Sequence, residues 1–552
     1  MKKIIIPILF AAVLVACGGG GGGGGNASTN YGATGSSSSA GSGSGGSAVP
    51  TASSYNSLGR ICASPRAATV LDPDTGQPYG DTQGTLTNEM AWIASFVNTT
   101  YLWYADVKAV DSTPYKIGAT VPYVDPATNT ASPETLQTNY DVVDAYFNSQ
   151  RSPLFTATGK PKDQFHFTYT TSDWQAFSTQ GNQAGFGFTV AILAADPPRQ
   201  NVIAYVTPGS LADTNGLKRG MQFISINAVD FANGSDVGTI NEGLFYPILG
   251  KQYTFVIADP NAATQTTVTL TAATVTEKPV MNVTALSTPA GPVGYVLFND
   301  HIATAESELF DAITTLKTAG ITDLVLDLRY NGGGLLELAS EVAYMIADPK
   351  KTANTVFEID KYNDKNPFGF TAADTTFPFQ NQAAGFSKTS GTPLPNLGLS
   401  TVYIITGSGT CSASEAIING LIGVGVKVVQ IGATTCGKPY GFFPTDNCGT
   451  TYFTIQFDGV NNAKFGDYAD GFIPGGTGTT ANNLPGCAVH DDFSKQLGDP
   501  AEGRLAAALQ YRTNGTCPIA PSIKAAKANY HEPKLVRSPA RENRIMRTTV
   551  LH

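Results

Sequence analysis

The clearest alternation of apolar and polar positions lies in the last third of the chain. Thr401–Thr406 is a β-branched and aromatic run that stops at a glycine turn, which predicts a strand. From Ser412 the apolar positions recur every three or four residues until Gly423, which is typical of one face of a helix. Residues 426–431 are apolar again and predict a second strand. A strand–helix–strand unit of this kind makes its two strands parallel.

Two polar side chains follow the carboxyl ends of these strands. Ser412 begins the predicted helix, and Lys438 follows the second strand after a glycine-containing turn. Ligand sites in open α/β sheets lie beyond these strand ends, so we expect the two residues to face each other. A serine beside a neutral lysine is an activated nucleophile, and such a lysine needs a pKa well below its ordinary value near 10.4. The apolar residues that follow Lys438 favour this by desolvation. A helix-capping serine and a surface lysine are the simpler alternative.

A third strand of the buried type precedes this unit. Residues 324–328 are followed by the sequence RYNGGG, and a helical pattern begins at Leu335. Free N–H groups in a glycine loop at a helix start can stabilise an oxyanion, although a tight turn explains the glycines equally simply. We therefore predict an α/β domain with parallel βαβ units over residues 285–520, in a multidomain α/β protein.

Residues 182–280 have a different, β-rich pattern. The sequence GFGF at 185–188 precedes a strand-like run, and TPGSLADTNGLKRGMQFISINAVD at 207–230 predicts a turn, a short helix and a strand. This stretch resembles the PDZ domains of bacterial proteases, with Met221 at a position that is usually acidic. The resemblance implies that backbone N–H groups of one loop hold a peptide's C-terminal carboxylate while the adjacent strand edge pairs with the peptide. The loop residues are Gly185, Phe186, Gly187 and Phe188.

The beginning of the chain predicts export. Residues 1–16 contain two lysines and a short apolar run, which is typical of a cleaved signal peptide. The following Cys17 resembles the lipidated cysteine of a bacterial lipobox; a plain signal with an incidental cysteine is the alternative. Residues 17–56 are rich in Gly and Ser and predict a flexible tether. We therefore expect a lipid-anchored protein of the bacterial envelope, in the periplasm or on the cell surface, with the outer membrane favoured.

The two remaining segments carry less information. Residues 57–181 contain helical patterns and many aromatic residues, and predict a small, mostly helical domain. Residues 521–552 are locally basic, and a disordered end is the simplest interpretation. The whole chain has a net charge of −9 and only 14% charged residues, and neither value suggests nucleic-acid binding.

Six cysteines follow Cys17, and an even number in an exported chain suggests disulfides. Cys411 and Cys436 lie at neighbouring predicted strand ends, so one hypothesis pairs them; Cys436–Cys448 is an equally simple local pairing. No His/Cys cluster has metal-ligand spacing, and we predict neither a metal nor a cofactor. The six are Cys62, Cys411, Cys436, Cys448, Cys487 and Cys517.

Three motifs together are specific. DLRYNGGG, CSASE and CGKPYG, in this order and behind the PDZ-like stretch, resemble the carboxyl-terminal processing proteases of serine peptidase family S41 over roughly residues 85–515. The resemblance implies a ClpP/crotonase-like core, Ser412 as nucleophile and Lys438 as general base. It also implies an oxyanion hole formed by the N–H groups of Ala413 and Gly333.

The sequence departs from that family pattern near the lysine. Many members have a glutamine four residues after the lysine, where it orients the amine, but this chain has Phe442. Another group or packing alone must therefore position Lys438. His166, His301 and His490 are alternative bases outside any family motif, and Glu415 is assigned to the dipole of its helix.

These observations lead to one functional hypothesis and two rivals. The hypothesis is a membrane-anchored serine endopeptidase that cleaves envelope or extracellular proteins and recognises their C-terminal segments through the PDZ-like domain. A catalytically weak PDZ-containing scaffold lipoprotein is the first rival. An acyl hydrolase of small esters is the second.

Overall fold

The computed structural model describes most of the chain after the tether. The described residues are 53–518, except 74, 127–128, 157, 261, 263 and 477–480, together with 532–535 and 544–546. The predicted signal peptide, Cys17 and nearly all of the predicted tether lie outside them. Within the described residues, no helix combines the length and the apolar character that crossing a membrane requires.

The N-terminal region, residues 53–181, packs into the same hydrophobic core as the last region of the chain. The Trp92 ring stacks on Phe96 and lies 5.0 Å from the ring centre of Tyr452. Helices occur where the apolar periodicity predicts them, and short strands accompany them. The elements are α1 (Ser53–Asn56), β1 (Ile61–Cys62), β2 (Thr82–Gln83), α2 (Leu86–Thr100), a 3-10 turn (Tyr104–Asp106), β3 (Thr120–Val124), β4 (Ala131–Thr135), α3 (Asn139–Asn148), β5 (Phe167–Thr170) and α4 (Thr171–Gln180).

The middle region has a hydrophobic core of its own, which includes Phe186, Phe223 and Phe255. Its elements are β6 (Asn182–Gly185), β7 (Phe188–Ala194), β8 (Gln200–Val206), α5 (Leu211–Thr214), β9 (Gln222–Ile226), β10 (Val229–Asp230), α6 (Val237–Phe245), β11 (Gln252–Asp259), β12 (Thr264–Thr271) and β13 (Ala273–Thr276). Strands β10, β9, β11 and β12 form one sheet in that order, and β7 pairs with β8 in another. The β-rich pattern predicted here is confirmed.

The last region is built on a six-stranded sheet. Its elements are β14 (Val280–Leu286), β15 (Val293–Phe298), α7 (Ala305–Thr318), β16 (Asp323–Asp327), β17 (Gly333–Leu335), α8 (Leu336–Ile346), α9 (Pro349–Thr352), β18 (Val356–Tyr362), β19 (Thr376–Pro378), β20 (Thr401–Thr406), α10 (Ala413–Gly423), β21 (Lys427–Gly432), β22 (Tyr440–Gly441), β23 (Thr445–Asn447), β24 (Thr450–Phe453), β25 (Phe457–Val460), β26 (Ile473–Pro474), β27 (Asn483–Leu484), β28 (Gly486–Ala488) and α11 (Gly503–Asn514). The strand order is β14-β15-β16-β20-β21-β28. Strand β14 is antiparallel to β15, and the other neighbours are parallel. The mixed α/β class and the parallel βαβ units are therefore confirmed.

Both faces of this sheet are covered. Alternate residues of a strand point to opposite sides of a sheet, and here the residues of both sides are buried. Ile404 and Val428 belong to the core that contains α7, α8 and α10, whereas Ile405 and Val429 belong to the core that contains α11. The covering helices leave the carboxyl ends of the parallel strands as the place where loops can form a site.

The tail contains two further strands, β29 (Lys534–Leu535) and β30 (Arg544–Met546). Strand β29 is antiparallel to β7, and β30 is parallel to β17. The expectation of a disordered end does not describe these residues, because their backbone groups pair with strand edges of the middle and last regions.

Candidate active site

Ser412 and Lys438 lie just beyond the carboxyl ends of neighbouring parallel strands. Strands β20 and β21 pair along their whole length, from Thr401–Lys427 to Thr406–Gly432. Ser412 and Lys438 are both completely buried. The sheet therefore brings two residues that are distant in sequence to one edge, as the parallel crossover predicts.

A disulfide joins the two loops that carry these residues. Cys411 is bonded to Cys436, with 5.2 Å between their Cα atoms. This confirms the first pairing hypothesis, and the Cys436–Cys448 alternative is wrong because Cys448 is bonded to Cys62. The third bond joins Cys487 to Cys517. The sulfur atoms of Cys411 and Cys436 lie close to the Glu415 carboxylate, but in a disulfide neither sulfur is a thiolate that could bind a metal.

The Glu415 carboxylate is the polar centre of the site. Its Oε2 accepts hydrogen bonds from the amides of Ser412 at 2.9 Å and Lys438 at 2.8 Å. Its Oε1 accepts from the Gly437 amide at 2.9 Å and the Thr435 hydroxyl at 2.5 Å. Burial raises the pKa of Glu415 above its ordinary value, while the hydrogen bonds from Thr435 and the amides act in the opposite direction. One side chain therefore ties the backbone of the candidate nucleophile to the backbone of the candidate base.

Glu415 thus does more than interact favourably with the helix dipole, which is the role that its sequence position predicts. Glu415 does lie in the first turn of α10, where a negative charge is favourable. It is also fully buried, and it is the single charged residue of α10. The available signal in the sequence was a single charged residue in a mostly apolar helix, in a chain with only 14% charged residues.

Ser412 has a strained backbone. Its φ is +66° and its ψ is −119°, which is uncommon for a residue other than glycine and costs about 1–3 kcal/mol. The bond from its amide to Glu415 helps to hold this conformation. The buried Ser412 Oγ has no hydrogen-bond partner among the described residues. Such strain and such an unsatisfied hydroxyl are features of functional sites.

The Lys438 amine lies between two aromatic rings. Its Nζ is 4.4 Å from the ring centre of Phe442 and 4.8 Å from that of Phe165. The rings exclude water, which favours a neutral amine, whereas their faces attract an ammonium ion. Phe442 stands where many S41-like sequences have glutamine, and here it contacts the amine through its ring. Phe165 comes from the N-terminal region, and its contribution was missed because no motif marks it.

The two predicted oxyanion donors have different surroundings. Ala413 is the first residue of α10, so its N–H has no acceptor within the helix. The Gly333 N–H donates to Asn331 Oδ1 at 3.0 Å, and His301 Nδ1 lies 2.9 Å from the same oxygen. Gly334 must be glycine, because a Cβ there would approach the His301 carbonyl oxygen to 2.3 Å. The oxyanion hole stays a prediction, and on the Gly333 side it requires Asn331 to release the amide.

The histidines considered as alternative bases occupy different places. His301 is buried beside the glycine loop. His166 is buried and stacks on Phe147, and its ring nitrogens lie 3.0 Å from the Phe147 carbonyl oxygen and 3.2 Å from Thr454 Oγ1. His490 is exposed and follows β28. The bonds of His166 are those of a residue that supports the fold.

A buried ion network lies under the glycine loop. Arg329 contacts Asp327 and Glu502 and lies 2.8 Å from Asp491. Arg219 of the middle region reaches the same Asp491 at 2.5 Å. Burial alone would raise the pKa of Asp491, but the charges of Arg219 and Arg329 hold it well below its ordinary value. The network links the middle region to the end of β16, where the glycine loop begins.

The predicted carboxylate-binding loop connects β6 to β7. Phe186 is buried in the core of the middle region, and its carbonyl accepts a hydrogen bond from the Ala212 amide. Gly187 has a φ of +92°, and a Cβ there would approach Ser210 to 2.1 Å, so glycine is required. Gly185 ends β6 and Phe188 starts β7. Peptide binding by Gly185, Phe186, Gly187 and Phe188 stays a prediction.

Comparison with known families agrees with the motifs. Residues 292–445 match the model of peptidase family S41, and this segment contains Ser412, Lys438 and the glycine loop. This part of the chain is therefore similar to the peptidases of family S41.

Two curated proteins with similar sequences are named carboxyl-terminal processing enzymes. The chain is 28% identical over 267 residues to a carboxyl-terminal-processing protease of Picosynechococcus sp., covering 47% of this chain and 56% of that protein. It is 28% identical over 258 residues to the chloroplastic C-terminal processing peptidase of Tetradesmus obliquus, covering 44% and 49%. The chain thus spans about half the length of these relatives.

A solved structure shares the fold. A Bacteroides fragilis protein described as an S41 protease superposes with a TM-score of 0.53 at 24% identity, covering 77% of this chain and 97% of that one. At this identity, the likeness concerns the fold of the chain.

Proposed function

We propose that this protein is a serine endopeptidase in which Ser412 is the nucleophile and Lys438 is the general base. The enzyme is anchored in the bacterial envelope through a lipid on Cys17. Its substrates are proteins or peptides of the envelope or the extracellular space, and the PDZ-like region recognises their C-terminal segments.

The mechanism is acyl transfer. Neutral Lys438 takes the proton of Ser412 Oγ as this oxygen attacks the peptide carbonyl. The N–H groups of Ala413 and the glycine loop stabilise the oxyanion. Lys438 then gives its proton to the leaving amine as the C–N bond breaks. Water, deprotonated by Lys438, releases the acyl group and restores Ser412.

One observation carries this proposal: a single buried carboxylate bonds the amides of both Ser412 and Lys438. A protein that only binds peptides has no need for a buried lysine whose backbone is tied to that of a strained serine. Nor would it need a serine hydroxyl without a partner among the described residues. This arrangement supports nucleophilic chemistry over a scaffold.

Proteolysis by matched variants tests the proposal. The substrate is a fluorogenic, unstructured peptide with a free C-terminal carboxylate, compared with its C-terminally amidated form. Ser412→Ala and Lys438→Ala should each lower kcat by at least about 10²-fold, the usual minimum for a general base. Ser408→Ala, at an exposed serine of the loop before the nucleophile, and Lys427→Ala, on the exposed start of β21, are the controls and should retain activity.

The outcomes separate the rivals. Unchanged cleavage by Ser412→Ala refutes the enzyme proposal and favours the scaffold. Hydrolysis of small esters without any cleavage of peptides favours the acyl hydrolase. Equal cleavage of the free and amidated peptides refutes recognition of C-terminal carboxylates while leaving the peptidase intact.

The lipid anchor has a separate test. Metabolic labelling with a radioactive fatty acid should mark the wild-type protein and should not mark Cys17→Ser. Labelling of both forms would refute attachment at Cys17.

A further inference from the structure

Two strand edges that a peptide substrate would need are occupied by the chain itself. The edge of β7 that does not face β8 pairs with β29, and β17 of the glycine loop pairs with β30. Both added strands belong to the tail, at Lys534–Leu535 and Arg544–Met546. The same short segment therefore reaches the predicted peptide-binding edge and the candidate active site.

Strand β29 has the direction expected of a peptide bound to β7. Lys534 is opposite Ile192 and Leu535 is opposite Ala191, so the tail runs towards the Gly185–Phe188 end of the strand. Added antiparallel strands are a common mode of peptide recognition. Leu535 is also buried, in the core that contains Tyr330 and Leu505. The contact therefore includes an apolar anchor as well as backbone pairing.

A charged contact precedes this strand. The Glu532 carboxylate pairs with the buried guanidinium of Arg504 and lies next to Gly407, at the end of β20. The tail is thus attached to the protease sheet before it reaches β7.

Strand β30 lies across the elements that carry the chemistry. Gly333, Gly334 and Leu335 are opposite Arg544, Ile545 and Met546 in parallel register. The backbone of β30 also lies beside α10, which begins after Ser412, and β22, which begins two residues after Lys438. Ser412 and Lys438 are completely buried in this arrangement. A substrate can therefore reach Ser412 only after a part of the protein moves away. Strand β30 is a candidate for that part, because it lies beside β17, α10 and β22.

The glycine loop is not arranged for catalysis in this structure. The Gly333 N–H is bonded to Asn331 Oδ1 and so is not aimed at a tetrahedral oxyanion. The tail therefore fits the role of a bound inhibitor better than that of a substrate being cleaved.

We propose that the tail acts as a tethered competitive inhibitor through residues 532–535 and 544–546, which occupy the strand edges that an extended polypeptide substrate must use. The proposal rests on the proposed peptidase function. Substrates that engage β7 and β17 displace the tail, so activity depends on how well a polypeptide competes for these two edges. The site would then select long, extended segments that cover both edges over short peptides.

The degree to which the tail inhibits cleavage follows from its being tethered to the enzyme. A linked segment has an effective concentration of about 1 mM at its site. If the free tail peptide binds with a Kd of about 0.1 mM, the tethered tail lowers kcat/KM for a short peptide about 11-fold, which is one plus the ratio of these values. Measuring the Kd therefore predicts the activation that removal of the tail produces.

The experiment uses two truncations and one full-length variant. A chain that stops after Pro518 keeps the Cys487–Cys517 bond and lacks both tail strands, whereas one that stops after Asn543 lacks only β30. Leu535→Asp keeps the full length and removes the buried anchor. We expect each to raise kcat/KM for a short fluorogenic peptide, most strongly the first. A synthetic peptide of residues 530–552 should inhibit the truncated chain, and a scrambled peptide should not.

Binding is measured without catalysis. The truncated chain with Ser412→Ala is titrated against the fluorescently labelled 530–552 peptide, by anisotropy. Binding no tighter than that of the scrambled peptide overturns the proposal. So does a truncated chain that keeps the circular dichroism of the full chain and shows equal or lower kcat/KM. If the peptide binds but neither form hydrolyses any substrate, the peptidase function fails while docking of the tail stands.

Discussion

Replacing Glu415 with glutamine tests the architecture of the site with minimal change of shape. The carboxylate accepts four hydrogen bonds, two at each oxygen. An amide offers only one carbonyl oxygen, and its NH2 group must face two of the former donors. The least unfavourable arrangement directs the oxygen to the amides of Ser412 and Lys438 and the NH2 group to Thr435, whose hydroxyl can accept. The Gly437 N–H then has no acceptor.

The magnitude follows from these contacts. An orphaned buried N–H costs about 1–3 kcal/mol, and each remaining bond loses about 1 kcal/mol when its acceptor is no longer charged. The neutral amide is easier to bury than a carboxylate, which offsets part of this loss. We therefore expect Glu415→Gln to lower the free energy of unfolding by about 2–4 kcal/mol. Because the two catalytic loops lose their common anchor, turnover should fall at least about 10-fold even where the protein remains folded.

Urea denaturation and peptide cleavage measure the two effects. Glu341→Gln is the matched control: this buried glutamate accepts a bond from the Ala384 amide, and burial raises its pKa to about 8. Its carboxyl is therefore mostly protonated at pH 7, so the substitution should cost less than about 1 kcal/mol. A Glu415→Gln variant as stable and as active as Glu341→Gln would refute the bridging role of Glu415.

Three other perturbations have defined outcomes. Replacing both Cys411 and Cys436 with serine should lower the free energy of unfolding by about 3–4 kcal/mol, a value set by the length of the loop that their bond closes. It should also reduce activity more than replacing both Cys487 and Cys517, and equal activity of the two double variants would contradict this. Burial acts to raise the pKa of Asp491 and of Glu502, but the arginine charges hold both below their ordinary values. Their stabilisation is therefore fully present above about pH 5 and is lost progressively as the pH falls from about 4 towards the depressed values. Urea denaturation at pH 3–7 should show the start of this loss, and an Asp491→Asn variant with the same acid slope would count against it. Gly334→Ala should abolish peptide cleavage, because its Cβ would meet the His301 carbonyl. Gly320→Ala controls for backbone strain and should remain active, because Gly320 also has a positive φ but a Cβ there would have no atom within 4 Å.

Much of the sheet and of the site could be predicted from local pattern. Thr401–Thr406 has the bounds that its β-branched run predicts, and α10 begins directly after Ser412. These elements are predictable because their apolar faces repeat with a helix or strand period and glycines end them. The parallel crossover then places Ser412 and Lys438 at the same sheet edge, without knowledge of any tertiary contact.

The contacts that complete the site could not be predicted in this way. Phe165 covers the Lys438 amine from a different part of the chain, and no sequence spacing encodes that approach. The bridge from Glu415 depends on the path of the loop 433–438, where no period exists. The tail strands were missed because their pairing uses backbone groups, which every residue has, and among the described side chains of the tail only Leu535 supplies an apolar anchor.

The central claim is that Lys438 activates Ser412 for attack on a carbonyl. The most direct measurement is the rate at which a serine-reactive phosphonate labels the chain, with the modified residue identified by mass spectrometry. We expect the adduct on Ser412, and a labelling rate in wild type that rises with pH and falls at least about 10²-fold in Lys438→Ala, with Lys427→Ala unchanged. Labelling of a different residue, or an equal rate in wild type and Lys438→Ala, would contradict the account.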